Sequence, residues 1–272
     1  MAQESRSRGR PKSFHDKTPQ NVIQSLDRAL DVMQTLATKG EMTLSEIAAE
    51  MDQSPATIYR VLTTLDLRGV VEVNPATQGW AIGAAAFQIG AAFLRRTNVV
   101  ERSRPVMRRL MQATGETANL GIEKSGTVLF ISQVETHEAI RAFFPPGTQS
   151  PMHASGIGKA LMACFPPDRR DRFLAMTRFE QFTENTITDP DALQSEMQRI
   201  RDQGFALDDE EKAVGMRCIA APILDLYGEA VAGISVSGPI NRMLDADLPG
   251  IARLVTAAAA DVSASLGAPK AG

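Results

Sequence analysis

The sequence predicts an α+β protein: an N-terminal winged helix-turn-helix, a helical linker and a C-terminal α/β domain. Three observations predict it. Apolar residues recur at three- and four-residue steps between Leu26 and Leu65, with helix caps between the repeats. Two short β-branched or aromatic runs, Val70–Val73 and Gly79–Ile82, flank a turn at Asn74-Pro75. From Gly115 onward the texture changes to short β-branched runs separated by helical stretches and Gly/Pro turns.

Residues 1–20 carry Arg6, Arg8, Arg10, Lys12 and Lys17 among Ser, Gly and Pro, with almost nothing apolar to bury, so they read as a disordered basic arm. The winged domain occupies 21–83. Its first helix has an inner stripe of Leu26, Ala29, Leu30, Met33, Leu36 and Ala37 and ends near Gly40. Thr43-Leu44-Ser45-Glu46 starts a second helix, because a Thr at the N-cap and a Glu three residues on satisfy each other's backbone donors. Ser54 caps a third helix, Pro55 suits its first position, and Ile58, Val61, Leu62 and Leu65 form its inner face. Gly69 stops it, and the two short strands follow as a hairpin.

Residues 84–114 read as a helical linker with Arg95, Arg96, Arg102, Arg104, Arg108 and Arg109 against a single Glu101, and Pro105 predicts a break. The last domain spans 115–268. Thr127–Ile131, Met216–Ile223 and Ala230–Gly238 read as strands and about Leu248 to Leu266 as an Ala-rich final helix.

Composition narrows the function classes. The chain has 272 residues, 43% hydrophobic and 22% charged, with a formal net charge of −3, so any contact with nucleic acid has to be local. The two cysteines, Cys164 and Cys218, form no CxxC pair, so neither a disulfide framework nor a structural zinc site is signalled. There is no run of about 18 apolar residues and no charged start followed by an apolar stretch, so the expected location is the cytoplasm, with no membrane partner.

In a helix-turn-helix the second helix of the motif enters the major groove, with an aliphatic inner face and polar or basic outward residues. The third helix meets that demand with Ser54, Thr57, Tyr59, Arg60, Thr63 and Thr64 outward. Arg60 has the geometry for a bidentate guanine contact. Thr43 and Ser45 on the preceding helix and Arg10 and Lys12 in the arm complete the candidate DNA-binding set. The plainer alternative is a small helical packing domain, since residues 21–82 carry Lys or Arg only at Arg28, Lys39, Arg60 and Arg68.

In the last domain, Ser235 and Ser237 lie two apart in a strand and share one face, with Ile234 and Val236 on the other, one face polar and one buried. Cys218 lies in another strand, and Asp208 precedes it in an acidic turn. The glycine loop Ala154-Ser155-Gly156-Ile157-Gly158 leads into an apolar helix from Lys159 to Cys164, so its N–H groups can form an anion site suited to a small carboxylate.

These motifs, in order, resemble the IclR family of transcription regulators from about Gln24 to Gly267. The resemblance rests on Ser25-Leu26-Asp27-Arg28-Ala29-Leu30, Leu44-Ser45-Glu46-Ile47-Ala48, Thr57-Ile58-Tyr59-Arg60-Val61-Leu62 with Leu65 and Arg68-Gly69, and Thr114-Gly115-Glu116-Thr117. It continues through Met152 to Ala160, Thr186-Ile187-Thr188-Asp189-Pro190, Gly204-Phe205-Ala206 with Asp208, Glu210 and Glu211, and Ser235 to Pro239. It implies a GAF-like effector domain at 115–268, a small-molecule effector, operator DNA as partner, no cofactor, and a homotetramer built as a dimer of dimers. It also implies that Gly156, Ile157, Asp208, Met216, Cys218, Ser235 and Ser237 line the effector pocket. The Gly loop, Asp, Cys and Ser pair match the members that respond to glyoxylate or a similar 2-oxo acid. By that likeness the Gly156 and Ile157 amides and both serines hold the carboxylate, Asp208 and Cys218 take the carbonyl or hydrated end, and Met216 bounds the cavity. The chain departs from the family pattern at Pro55 and near Gln78 and Gly79, where members often carry a basic residue, which shifts expected phosphate contacts to the arm and Arg60.

The competing reading is an enzyme, with Cys218 as nucleophile beside Asp208 or His153 and a small 2-oxo acid as substrate. No nucleophile elbow, phosphate loop or dinucleotide fingerprint supports it, and Cys218, Asp208 and His153 do not form a spaced metal motif.

Overall fold

The structure, a computed structural model, describes residues 22–96 and 99–269. The chain divides into two compact units, Met1–Phe93 and Leu94–Gly272. The arm, with Arg10 and Lys12, lies outside the described residues.

The first unit runs α1 (Gln24–Lys39), β1 (Met42–Thr43), α2 (Leu44–Glu50), α3 (Pro55–Asp66), β2 (Val71–Val73) and β3 (Gly79–Ile82), then α4 (Ala84–Arg96), which begins in it. Local chemistry sets the boundaries. The Thr43 hydroxyl accepts from the Glu46 N–H while the Glu46 carboxylate accepts from the Thr43 N–H, so α2 starts on a full capping box. The Ser54 hydroxyl accepts from the Thr57 N–H, and Pro55 opens α3 without losing a hydrogen bond. Val32, Leu36, Ile47, Ala48, Ile58, Leu62, Val71 and Trp80 form the core.

Two expectations change here. The hairpin gains a third strand, in the order β1-β3-β2, because the extended residues after Gly40 pair Met42 with Trp80 before the capping box begins. The buried face of α1 is turned from the predicted stripe. It buries Val32 and Leu36 toward α3 and β3, while Leu26 and Leu30 remain 58% and 50% exposed. The apolar side of α1 is wider than its neighbours in this unit can cover.

The second unit begins with α5 (Val99–Thr114) and holds β4 (Thr117–Lys124), β5 (Thr127–Val134), β6 (Gln149–Pro151), α6 (Gly156–Ala163), α7 (Pro167–Met176), α8 (Pro190–Gln203), β7 (Ala206–Asp209), β8 (Met216–Leu224), β9 (Ala230–Pro239) and α9 (Leu248–Ser265). Its six-stranded sheet has the order β6-β5-β4-β9-β8-β7 and every pairing is antiparallel, which makes the unit α+β. The β4–β5 turn places Ser125 and Gly126 at φ 53° and 81°, the left-handed pair that a two-residue hairpin requires. One face of the sheet carries α6, with α8 packed behind it; α5 and α9 cover the other.

The predicted break at Pro105 does not occur: α5 continues through it. Pro105 is exposed, so the carbonyl it deprives of a donor can reach water, while Val99, Val100, Val106, Met107 and Leu110 are buried against the sheet side. Packing of that stripe holds the helix together. Strand β9, expected to bury only one face, is buried on both from Ala232 to Pro239, because helices cover both sides of the sheet.

Close approach of α6 to the sheet depends on glycine. A Cβ on Gly158 would collide with the backbone of Met152, and one on Gly156 would stand 2.8 Å from Cys218 Sγ. Gly158→Ala is therefore expected to destabilise the second unit by about 1 to 3 kcal/mol or more. Gly250→Ala in α9, where a Cβ meets nothing within 4 Å, should be neutral or gain up to about 1 kcal/mol. Differential scanning calorimetry of both variants checks the contrast.

Candidate functional site

The register of the second sheet brings the predicted pocket residues together. Asp208 pairs with Cys218, Cys218 with Ser237 and Ser237 with Thr117, so four strands contribute to one polar row. Asp208 thus sits in β7 rather than in a turn; the turn comes after it, at 210–215. Alternation of a strand that faces α6 fixes its side chain inward.

Above this row lies the first turn of α6, which begins at Gly156, three residues earlier than expected. Ser155 caps it by accepting from the Gly158 N–H. That leaves the Gly156 and Ile157 N–H groups at a positive helix end. Between helix and sheet is a small cavity of about 20 Å³. Gly156, Ile157, Asp208, Cys218, Ser235 and Ser237 all line it, as predicted from the resemblance, while Met216 does not. Met216 faces the same side as Cys218 but lies two residues nearer the 210–215 turn, roughly 6.6 Å along the strand. The wall ends before it.

Ala154 and Ser155 of the glycine loop line it as well. Four further residues were not anticipated: Phe130 and Phe144 stack with centroids 4.8 Å apart and close one end, and Ser150 and Lys212 complete the wall. No local pattern marks them, since β5, the segment after it and the 210–215 turn meet only in the fold. A larger open cleft of about 680 Å³ lies on the other side of β7, among α8, α9 and the side chains of Leu207 and Asp209. It contains none of the predicted residues.

Electrostatics distinguish the small cavity. Burial pushes the Asp208 carboxyl up to about 6, against the pull of Lys159 and of backbone N–H groups, among them that of Glu211 at 2.9 Å. Burial pushes the Cys218 thiol up to about 11, and the nearby Asp208 adds to the rise. Ser237 accepts from Asn119, whose own side-chain oxygen accepts from Gln133. Ser235 is 1% exposed, and its hydroxyl has no hydrogen bond of proper geometry, although it lies near enough to Cys218 to oppose the rise of that thiol's pKa. A buried orphan hydroxyl costs free energy that a bound ligand can recover.

The scaffold of this site is a buried ammonium. Lys159 of α6 is fully buried; its Nζ donates to Glu196 of α8 at 3.2 Å, to the Leu207 carbonyl of β7 at 2.5 Å and to Glu211. Thr186 donates to the Glu211 carbonyl at 2.6 Å and Thr183 to that of Glu210 at 2.7 Å, which pins the start of the turn. His153 stands outside the cavity wall, with Nε2 2.9 Å from the Glu180 carbonyl and its ring against Phe179 and Phe182. It supports the loop.

In the first unit, α3 presents Tyr59 and Arg60 outward. The other predicted donors are mostly engaged. The Thr43 hydroxyl donates to Glu46 and accepts from its N–H, Ser54 caps α3 and contacts the Thr57 hydroxyl at 2.9 Å, and Thr63 and Thr64 donate to the carbonyls of Tyr59 and Arg60. Ser45 is exposed on α2. At the wing the Thr77 hydroxyl donates to Glu41, which precedes β1, so an acid lies against the β2–β3 hairpin where a basic residue was looked for.

Comparison with known proteins matches both units of the chain. Residues 25–75 match the IclR helix-turn-helix domain and 91–264 the bacterial transcriptional regulator IclR C-terminal domain. The chain is 53% identical over 266 residues to the HTH-type transcriptional regulator BhcR of Paracoccus denitrificans, covering 97% of this chain and 95% of that one. It is 34% identical over 263 residues to the transcriptional repressor IclR of Escherichia coli, covering 96% of each. The crystal structure of the Thermotoga maritima IclR superposes with a TM-score of 0.79 at 26% identity, covering 90% of this chain and 100% of that one. With its helix-turn-helix unit and its α+β unit both matched, the chain belongs to the IclR family of DNA-binding transcriptional regulators.

Proposed function

We propose that this regulator answers to a two- or three-carbon 2-oxo acid, glyoxylate or a close analogue, bound in the small cavity between α6 and the β7-β8-β9 strands. The observation that carries the reading is the unpartnered, buried Ser235 hydroxyl facing a helix N-terminus. The ligand carboxylate accepts from the Gly156 and Ile157 amides and from Ser235 and Ser237, and its carbonyl or hydrated end meets Asp208 and Cys218. A volume of about 20 Å³ holds little more than one water, and the Phe130–Phe144 stack closes one end, so a small acid opens the site far less than an aromatic one would. Turnover by Cys218 is disfavoured, because a nucleophilic cysteine acts as thiolate and this one is held as thiol.

Operator contacts fall to Arg60 and Tyr59 on α3, Ser45 on α2 and the arm with Arg10 and Lys12; Thr43, Ser54 and Thr57 position the helices instead. The chain works in the cytoplasm, where the operator is, as a homotetramer. The exposed Leu26 and Leu30 of α1, one turn apart, favour self-association through the first unit. Regulation requires the acid to prefer one arrangement of the protein over another, typically by about 5- to 150-fold in operator affinity.

Glyoxylate or pyruvate at about a hundredfold its Kd should raise the thermal midpoint by roughly 5 to 10 °C. Ser235→Ala should leave the free protein as stable or about 1 kcal/mol more stable while removing most of that rise; a benzoate that shifts the midpoint when both acids fail overturns the assignment. Arg60→Ala should weaken operator binding by about 1 to 3 kcal/mol and relax specificity at one base pair, read by fluorescence anisotropy on a panel of mutated operators. The Asp208 carboxyl is raised in the folded state, so its contribution to stability is present below about pH 4 and lost as pH rises through about 6. The midpoint of Asp208→Asn should therefore gain on the wild type by a few degrees between those pH values, measured by calorimetry in matched buffers.

A further inference from the structure

The cavity's charges do not balance for an anionic ligand if only the predicted residues are counted. Asp208 is a carboxyl, Cys218 stays a thiol, and the serines and helix amides are neutral donors. Lys159 is close, but its ammonium is already shared by Glu196, Glu211 and a carbonyl. The one cationic residue among the described lining residues is Lys212, whose backbone N–H donates to the Asp208 carboxyl at the cavity. Its ammonium stands 3.2 Å from the centroid of the Phe182 ring, with no ion pair recorded for it among the described residues. Its backbone follows Glu210 and Glu211, whose carbonyls are fixed by Thr183 and Thr186, so the side chain springs from an anchored base.

From this placement we infer that Lys212 is the counter-charge of the effector's carboxylate, parked on Phe182 in the free protein and drawn to the anion when it binds. The inference rests on the effector reading above and adds to it a residue that determines specificity for acids over neutral carbonyl compounds. A cation held by a ring face is released at little cost, whereas a carboxylate offers it a charge-assisted hydrogen bond. Burial lowers the Lys212 pKa, while the carboxylates of Glu180 and Asp208 work the other way.

The test uses full-length wild type, Lys212→Met, which keeps the apolar stem, and Lys212→Arg, titrated calorimetrically with glyoxylate and with the neutral glyoxylamide at two ionic strengths. Lys212→Met should lose about 10- to 100-fold in glyoxylate affinity and flatten its salt dependence, while Lys212→Arg keeps most of both. Glyoxylamide should bind wild type and Lys212→Met alike. Glyoxylate binding by Lys212→Met within about twofold of wild type overturns the inference, and so does an equal loss for glyoxylamide, which would make Lys212 a structural prop. Binding of neither glyoxylate nor pyruvate by wild type would defeat the effector reading itself, a result separate from either of these.

Discussion

The second unit is organised around one ammonium that water cannot reach. Taking a charge out of water costs several kcal/mol unless it is paired and fully hydrogen-bonded, so Lys159 is tolerable only where its partners are brought to it. They come from three places distant in sequence: Glu196 on α8, the Leu207 carbonyl on β7 and Glu211 in the turn beyond. Satisfying Lys159 therefore fixes α6 against α8 and against the edge of the sheet at once. The first turn of α6, which precedes Lys159 on the same helix, is thereby held over Cys218 and the β9 serines. The same demand raises the Glu211 carboxyl to about 7, because burial outweighs the attraction of the ammonium beside it. The cluster is a scaffold that leaves the cavity's own polar groups free for a ligand.

Features governed by neighbours in sequence were legible, and features governed by pairing were not. The capping box of Thr43 and Glu46, the Ser54 cap with Pro55, and the stop at Gly40 each involve residues within a turn of one another, so their geometry follows from residue type. The row Asp208, Cys218, Ser237 and Thr117 depends on strand register across four strands, which no local spacing encodes. Asp208 was recognised by family likeness, yet its place in a strand became visible only with the pairing. Lys159 did carry a signal, a lone cation in an apolar helix, but its two carboxylates lie 37 and 52 residues away. Pro105 misled because its usual cost was weighed without the buried stripe that outweighs it.

The DNA-binding unit shows how helix stability and recognition compete for the same atoms. Hydroxyls that end or begin a helix, or bond back to a carbonyl four residues earlier, are poor free donors. In α3 that leaves a phenol and a guanidinium with free donor groups. A unit this sparing of free donors commits its hydroxyls to helix stability, and recognition is concentrated in two long side chains.

The protonated thiol of Cys218 has a chemical consequence for any carbonyl compound that enters the cavity. With burial holding it near 11, the thiol rather than the thiolate prevails at neutral pH. The carbonyl carbon of a 2-oxo acid is electrophilic, and a thiolate beside it adds as the C=O π pair moves to oxygen, giving a hemithioacetal that must collapse before the acid can leave. As a thiol, Cys218 is a far weaker nucleophile and spares a carbonyl ligand that detour. Occupancy of the cavity is then set by non-covalent contacts and follows the ligand's concentration directly.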